Sequence, residues 1–313
     1  MIRFLGARLL WAIFVLLTVM VITFVLTFIV PADPARAMVG LRGSAEDVAR
    51  IRTALGLDEP FIVQLAGYIA RTVQGDLGHS YHHRTEVLPL ILSRVPATAQ
   101  LALSGIALSL VIGVPLGVLA ARRRGTGWDR AATILSVAMV SVPSFWLGYL
   151  LIDFLAFRPL MAFDLGIFPI GGYAPWDVRY LALPAVALGA TGAAYYTRLT
   201  RSAMLDELGH DYVRTARAKG LHDRRVTWRH AFRNAMPPLM TQLGLDLGFF
   251  LGGVVIIEQV FSWPGVGRLA VDSITNTDVP LIMGTVLFGT FCIVMANLLV
   301  DVVIAVMDPR IRY

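Results

Sequence analysis

The chain has 313 residues, of which 57% are hydrophobic and only 15% are charged. In soluble domains of this size, about a quarter of all residues are charged, so the composition excludes an ordinary soluble globular protein. The formal net charge is +6, and the positions of the basic residues decide whether this charge signals a nucleic-acid partner. The single cysteine, Cys292, excludes an intrachain disulfide.

Six apolar runs of at least 18 residues occur along the chain, which is the length that a helix needs to cross about 30 Å of hydrocarbon. We therefore predict an all-α integral membrane protein with six transmembrane helices. The first run is longer than the apolar region of a signal peptide, so we predict that it is retained. The runs are 9–32, 95–121, 131–152, 180–197, 234–257 and 279–300.

Basic residues are unevenly distributed between the loops that six helices would leave. If the amino terminus is inside, the cytoplasmic segments hold many of them, whereas the two short outer loops hold only Arg158, Arg179 and Arg268. Basic residues accumulate in cytoplasmic loops. We therefore predict that both termini face the cytoplasm, and that the charge reflects this topology and not nucleic-acid binding.

The apolar runs divide the chain into three segments. In the middle, outer segment, Ser44 suits a helix N-cap and Gly56 a helix stop, and a second short amphipathic helix is predicted to begin at Pro60. The segments are 1–32, with the N-terminal tail and first helix; 33–94, extracytoplasmic with short helices; and 95–313, a core of five transmembrane helices with a cytoplasmic hairpin at 203–235.

Three histidines in the outer segment, His79, His82 and His83, raise the question of a metal site. Imidazoles are good ligands for borderline metals. No cysteine accompanies them, however, and histidine clusters in loops are usually solvated, so we predict no metal site.

Small residues recur every fourth position in two of the predicted helices, which lets helix backbones approach closely. Packing inside one bundle and a subunit interface or pathway wall both remain open. These residues are Gly105, Ser109, Gly113 and Gly117 in the second helix, and Gly244, Gly248 and Gly252 in the fifth.

Asp246 lies well inside the fifth helix. An aspartate at the centre of a transmembrane helix costs about 2.5–3.5 kcal/mol and usually faces protein or water. Asp246 is therefore a candidate pathway residue. It also permits a different function class, a proton-coupled secondary transporter. An intramembrane hydrolase is disfavoured because the sequence has neither G-x-S-x-G nor H-E-x-x-H.

The stretch "RTARAKGLHDRRVTWRHAFRNAMP" (214–237) is strongly basic between two apolar runs. A helix is predicted to end at Gly220, and a second, amphipathic helix to present Leu221, Trp228, Phe232 and Ala235 on one face. From these residues alone, a docking helix–turn–helix and an anchor on anionic lipid are equally compatible.

This stretch resembles the cytoplasmic coupling loop of ATP-binding-cassette importer permeases, in the branch that takes up dipeptides, oligopeptides and nickel. The matching residues are Tyr212 through Leu221, Val226, His230, Arg233, Asn234, Ala235 and Pro237. Where the wider superfamily has Glu-Ala-Ala, this chain has Arg214, Thr215 and Ala216. Other similar segments are "FIVPADPA" (28–35), in which Ala32 replaces a glycine, "SVPSFWLG" (141–148), "EQVFSWPGVGRL" (258–269) and "DPRIRY" (308–313).

The resemblance implies the type I importer permease fold and a B-type subunit in the bacterial cytoplasmic membrane. It also implies a heterodimer with a C-type permease, two cytoplasmic ATPases and an extracytoplasmic binding protein, with peptides as substrate and nickel or haem-like ligands as alternatives. The chain itself has no G-x-x-x-x-G-K-[ST] loop. We therefore expect no cofactor and no catalysis in this chain, with ATP and magnesium bound by the partner ATPases.

Two sets of site residues follow from the resemblance. The ATPase-coupling set, within the hairpin 206–235, is Asp211, Tyr212, Arg214, Thr215, Ala216, Arg217, Lys219, Gly220, Leu221, Trp228, His230, Phe232, Arg233 and Asn234. The second set is the predicted contacts with the binding protein, which lie in the "VFSWPGVGR" loop: Phe261, Trp263, Pro264, Gly265 and Gly267. From the residues alone, this loop could equally be a simple tight turn.

Overall fold

The computed structural model describes residues 2–29, 35–36, 44–54 and 56–307, and the named elements of these ranges are all helical. Segments 30–34 and 308–313, which carry part of "FIVPADPA" and all of "DPRIRY", lie outside the described residues. The helices are α1 Ile2–Ile29, α2 Ala45–Ala54, α3 Phe61–Val73, α4 Val87–Arg122, α5 Gly127–Ser141, α6 Ser144–Leu151, α7 Arg158–Phe163, α8 Val178–Leu208, α9 Asp211–Ala218, α10 Asp223–Arg225, α11 Phe232–Leu251, α12 Val255–Val260, α13 Val266–Thr275 and α14 Val279–Met307.

Within the described residues, each of the six predicted apolar runs lies mainly on helices. Four spans within the described residues are long and apolar enough to cross a membrane: Gly6–Leu26, Val87–Arg122, Ser144–Phe163 and Val279–Val302. The other two runs lie on α8 and α11, which have 31 and 20 residues. At 1.5 Å per residue both are long enough to span the hydrocarbon, but they carry more polar side chains.

The predicted third span, 131–152, is not one helix. α5 ends at Ser141, and α6 begins at Ser144 and continues through a π-helical turn, Ile152–Phe157, into α7. The break follows from Pro143, because the residue before a proline is driven out of the helical region. Val142 accordingly has the extended angles φ −81° and ψ 121°.

The predicted fifth span, 234–257, ends earlier than expected, at Leu251. Gly253 has φ +122°, which a residue with a side chain rarely adopts, and its backbone lies directly against that of Gly267. The chain therefore leaves the helix axis here and starts α12 in a new direction.

Two carboxylates connect elements from distant parts of the chain at opposite ends of the bundle. Arg8 on α1 pairs with Asp301 near the end of α14, at 3.1 Å, which places the start of the first helix beside the end of the last. At the other end, buried Asp278 accepts hydrogen bonds from Ser80 and from the backbone amide of His82. This arrangement agrees with both termini on one side of the membrane.

The two series of small residues lie where helices of this chain cross. Gly113 and Gly117 on α4 face the backbone carbonyls of Ala193 and Thr197 on α8, and Gly105 faces Leu188. On α11, the glycines meet α14, where Gly244 contacts Val300 and Gly248 contacts Ala296. A side chain at any of these glycines would have to separate the helices.

The α4–α8 contact gives a testable prediction. A methyl group on Gly113 would lie 2.5 Å from the carbonyl oxygen of Ala193, so Gly113→Ala should destabilise the protein by about 2 kcal/mol through overpacking. The measurement is the thermal unfolding midpoint of the purified complex. Gly6→Ala in α1 is the control, because nothing lies within 4 Å of its added methyl, and equal midpoints for the two variants would contradict the prediction.

Candidate functional site

The cytoplasmic hairpin, residues 206–235, consists of two helical arms around one turn. α8 ends at Leu208, α9 runs from Asp211 to Ala218, and α10 leads through a second π-helical turn, Val226–Ala231, into α11. The second arm is therefore continuous with a membrane-spanning helix. The helix that was predicted to end at Gly220 is interrupted at Gly209 and His210, where the chain bends before α9.

The turn between the arms is a Schellman motif. The amide of Gly220 donates to the carbonyl of Arg217 at 2.9 Å, and the amide of Leu221 donates to that of Ala216 at 3.3 Å. Gly220 has φ +76°, and nothing lies within 4 Å of where its Cβ would be. The position therefore needs glycine for its backbone angle and not for lack of space.

The hairpin packs on the ends of two membrane helices through an apolar cluster. Val213 and Ala216 of α9 and Val226 of the second arm are buried against Val118 of α4 and Met204 of α8. Leu221 and Phe232 are half-buried at the edge of the same cluster. Because both arms are packed in this way, the hairpin is a rigid extension of the bundle.

Trp228 does not lie on the predicted buried face. The apolar residues of the second arm that are buried are Val226, Ala231 and Ala235, which are five and then four positions apart, and Thr227 is buried beside Val226. The π-helical turn adds a residue to the helical repeat and so rotates Trp228 outward. Its side chain is 41% exposed and contacts Phe232 edge-on, with 5.1 Å between ring centres.

Most of the predicted coupling residues form the outer surface of the hairpin. Ala216 is buried, and Leu221, His230 and Phe232 are half-buried. The exposed members are Asp211, Tyr212, Arg214, Thr215, Arg217, Lys219, Gly220, Trp228, Arg233 and Asn234. The surface is basic overall, and its short-range contacts include an ion pair of Asp211 with Arg214 at 3.2 Å. The hydroxyl of Tyr212 donates a hydrogen bond to the carboxylate of Glu207. Partial burial and this negatively charged acceptor raise the pKa of Tyr212.

Asp223 was missed in the sequence, although it is the one acid in the basic stretch 214–237. Its carboxylate accepts from Arg122 at the end of α4, at 2.8 Å, and from Arg217 of α9, at 3.5 Å. It thus joins both arms of the hairpin to a membrane helix.

A second ion pair that the sequence did not reveal lies beside the hairpin. Arg201 of α8 donates two hydrogen bonds to Asp129 at the start of α5, one of them 3.0 Å long, and the amide of Gly125 donates to the same carboxylate at 2.9 Å. These donors lower the pKa of Asp129 to about 2. The two residues are 72 positions apart, so no local pattern indicated the pair.

The predicted binding-protein contacts are largely buried in this chain. Phe261, Trp263, Gly265 and Gly267 are all under 9% exposed, and only Pro264 is half-buried. The indole of Trp263 donates to the carbonyl of Ala97 on α4 at 2.8 Å. These four residues form the interior of the outer loop. A docked protein would therefore contact the exposed surface of the loop and not these side chains.

Glu258 is the residue that organises this loop, and the sequence reasoning missed it. Its carboxylate is fully buried and accepts from the hydroxyl of Thr98 and from the amide of Arg268, both at 2.7 Å. A Cβ on Gly265 would overlap this carboxylate. The glycine is therefore required by the buried acid, which no spacing rule for turns indicates.

The histidines of the outer segment do not converge. His79, His82 and His83 are exposed, and among the described residues no group of three or more His, Cys, Asp or Glu side chains is positioned to hold a metal ion.

Comparisons with known proteins decide the family. Residues 113–313 match the model of the binding-protein-dependent transport system inner membrane component, and residues 1–102 match the N-terminal model of such membrane components. The glutathione transport system permease protein GsiC of Salmonella choleraesuis is 40% identical over the full length of both chains. A Brucella abortus permease protein, provisionally named for a peptide transport system, is 41% identical over 96% of each chain.

The chain belongs to this family. It is an inner-membrane permease subunit of an ATP-binding-cassette importer, and such importers operate with ATP-binding subunits and a substrate-binding protein. The matches favour this function over a proton-coupled secondary transporter.

The permease also shares its fold with solved structures. Two crystal forms of the inward-facing MetNI methionine ABC transporter superpose with TM-scores of 0.52 and 0.56, over 70% and 71% of this chain and 96% and 98% of theirs. Sequence identity is only 19% and 18%, so the likeness concerns the fold alone. It confirms the predicted type I importer fold.

The Asp129–Arg201 pair of the permease gives a prediction about stability. Asp129→Asn removes a buried carboxylate and leaves the half-buried guanidinium of Arg201 without its charged partner, which should lower the stability by about 2 kcal/mol at pH 7. The lowered pKa of Asp129 means that the pair contributes fully above the ordinary aspartate pKa of about 3.9 and loses its effect as the pH falls towards 2.

The measurement is thermal unfolding of the purified importer at pH 7. Arg158→Gln is the matched control, because it breaks an ion pair with Asp153 whose side chains are 62% and 39% exposed, and exposed pairs contribute little. Equal effects of the two substitutions would refute a special role for Asp129.

Proposed function

We propose that this permease subunit imports short peptides and that separate ATPases drive it through the cytoplasmic hairpin. The observation that carries the proposal is the rigid attachment of the hairpin. Its turn is closed by a Schellman motif, its arms share one apolar cluster with α4 and α8, and its second arm continues into α11. Movement imposed on the hairpin is therefore transmitted to three membrane helices.

The exposed surface of the hairpin suits a protein partner better than lipid. Arg224 and Arg225 line a surface hollow together with the outward-facing Trp228, and an aromatic anchor with a charged rim is the usual composition of a protein interface. An amphipathic lipid anchor would instead expose an apolar stripe. Here the apolar side of the hairpin is turned into the bundle.

The proposal assigns nucleotide chemistry to the partners. With no phosphate-binding loop in the sequence, ATP and magnesium would be bound by two cytoplasmic ATPases, and this chain would have no catalytic role. The second half of the pathway would come from a C-type permease. Support for peptides as substrate comes from the names of the relatives, one a glutathione and one a peptide transport permease.

The angle of the hairpin turn provides the test. Gly220→Val should uncouple ATP hydrolysis from uptake or prevent assembly, because a β-branched residue is strongly disfavoured at φ +76°. Gly220→Asn is the matched control, since asparagine tolerates left-handed angles and an added Cβ meets no neighbour. Uptake of a labelled dipeptide and ATP hydrolysis are measured together in proteoliposomes that contain the complete importer.

We expect the valine variant to lose at least about tenfold in peptide transported per ATP hydrolysed, or to fail to retain the ATPases on purification, and the asparagine variant to stay near wild type. Normal coupling by the valine variant would count against the role of the hairpin.

A further inference from the structure

A chain of polar side chains connects α8 with α11 near the middle of both helices. The hydroxyl of Tyr196 donates to one oxygen of Asp246 at 2.8 Å, and the amide of Gln242 donates to the other at 2.8 Å. The hydroxyl of Tyr195 in turn donates to the carbonyl oxygen of Gln242 at 3.2 Å. The network thus extends from the buried Tyr196 to Tyr195, whose side chain is 43% exposed.

The face that carries this network is mixed, because Tyr195 and the half-buried Gln242 share it with the exposed Leu245 and Phe249 of α11. On α1 and α5 the large exposed side chains are apolar, as with Leu10, Ile134 and Leu135, which suits contact with lipid. A tyrosine hydroxyl, an amide and a carboxylate facing hydrocarbon would be costly. The face of Tyr195, Gln242 and Asp246 is therefore turned towards water or protein.

Asp246 has hydrogen-bond donors but no cation. Among the residues that the structure describes, no arginine, lysine or histidine is within ion-pair distance of its carboxylate. Tyr196 and Gln242 supply one neutral hydrogen bond to each oxygen, and a carboxylate accepts up to about four. The half-buried acid can therefore accept a further, positively charged donor.

We propose that Asp246, positioned by Tyr196 and Gln242, binds the α-ammonium group of a peptide as it passes through the translocation pathway. An ammonium group offers three N–H donors and a charge, and the exposed ring of Tyr195 beside it provides a surface that attracts cations. A resident arginine would neutralise the site permanently, whereas an unpaired carboxylate releases its ligand as well as binding it. The inference rests on the proposed function in peptide import.

Transport of two matched peptides tests the proposal. The complete importer in proteoliposomes is supplied with binding protein loaded to equal occupancy with a dipeptide or with its N-acetylated form. The wild type should transport the free dipeptide at least about tenfold faster per loaded binding protein, as a charge-assisted hydrogen bond predicts. Asp246→Asn should bring this ratio close to one by slowing the free dipeptide, because asparagine keeps an acceptor for Tyr196 but loses the charge.

Asp153→Asn is the control and should keep the wild-type ratio, since Asp153 already pairs with Arg158. An unchanged ratio in the Asp246→Asn variant would overturn the proposal while leaving peptide import intact. Failure of the wild type to transport either peptide would overturn the proposed function and the inference with it.

A labelling experiment keeps the proposal testable if the Asp246 variant is unstable. In a Cys292→Ser background, Tyr195→Cys and Ile134→Cys are treated with a charged methanethiosulfonate reagent in the assembled importer. Tyr195→Cys should react at least tenfold faster, because only a water-filled pathway admits the reagent. Equally slow labelling of both would show that the network is a buried clamp between helices and not a pathway site.

Discussion

The burial of the cytoplasmic hairpin against α4 and α8 is the contact on which the proposed coupling of this permease depends. Val213, Ala216 and Val226 lose their exposure to water between two membrane helices, and this apolar contact fixes the hairpin relative to the bundle. A basic loop without such a contact would bind an ATPase equally well but would transmit no force. In the proposed function, the buried residues of the hairpin transmit the movement and its exposed arginines contact the partner.

The close contact of α4 with α8 completes this mechanical connection. Gly113 and Gly117 let the two backbones approach until carbonyl groups of α8 lie against α4, and the Asp129–Arg201 pair ties α8 to the start of α5. A displacement of the hairpin thus moves a packed unit rather than one helix. At the outer end, the same helix α4 supplies Thr98 and the carbonyl of Ala97 to the loop around Glu258 and Trp263. The cytoplasmic and outer surfaces are consequently linked through α4.

Features with a local cause could be predicted from the sequence. The apolar runs indicated where the long helices lie, and Gly220 identified the turn, because hydrophobic length and a left-handed backbone angle depend on neighbouring residues only. The break at Pro143 also has a local cause, but a continuous apolar run concealed it. The π-helical turn at Val226–Ala231 has no simple sequence signature, and it is the reason why Trp228 faces outward and not into the cluster.

Features that depend on tertiary contacts were not predictable in this way. Glu258 and Thr98 are 160 positions apart, so only the folded chain shows that they are hydrogen-bonded. The buried carboxylate of Glu258 requires glycine at position 265. Most of the residues that were expected to contact a binding protein are instead packed inside this loop. Asp246 was recognised as unusual by its depth alone, yet its hydrogen-bond partner Tyr196 lies 50 positions away. The partners of the exposed hairpin surface belong to other subunits, so the sequence of this chain alone does not specify the contacts made there.

Crosslinking of the hairpin to an ATPase tests the central claim most directly. A photoreactive amino acid is introduced at Trp228, the outward-facing aromatic of the hairpin, in the complete importer, and another at Trp128, which is 63% exposed at the start of α5, as a second cytoplasmic position. If the hairpin is the coupling element, illumination should join position 228 to the ATPase subunit in high yield and position 128 far less. Crosslinks from position 228 to lipid alone, with none to the ATPase, would contradict the account.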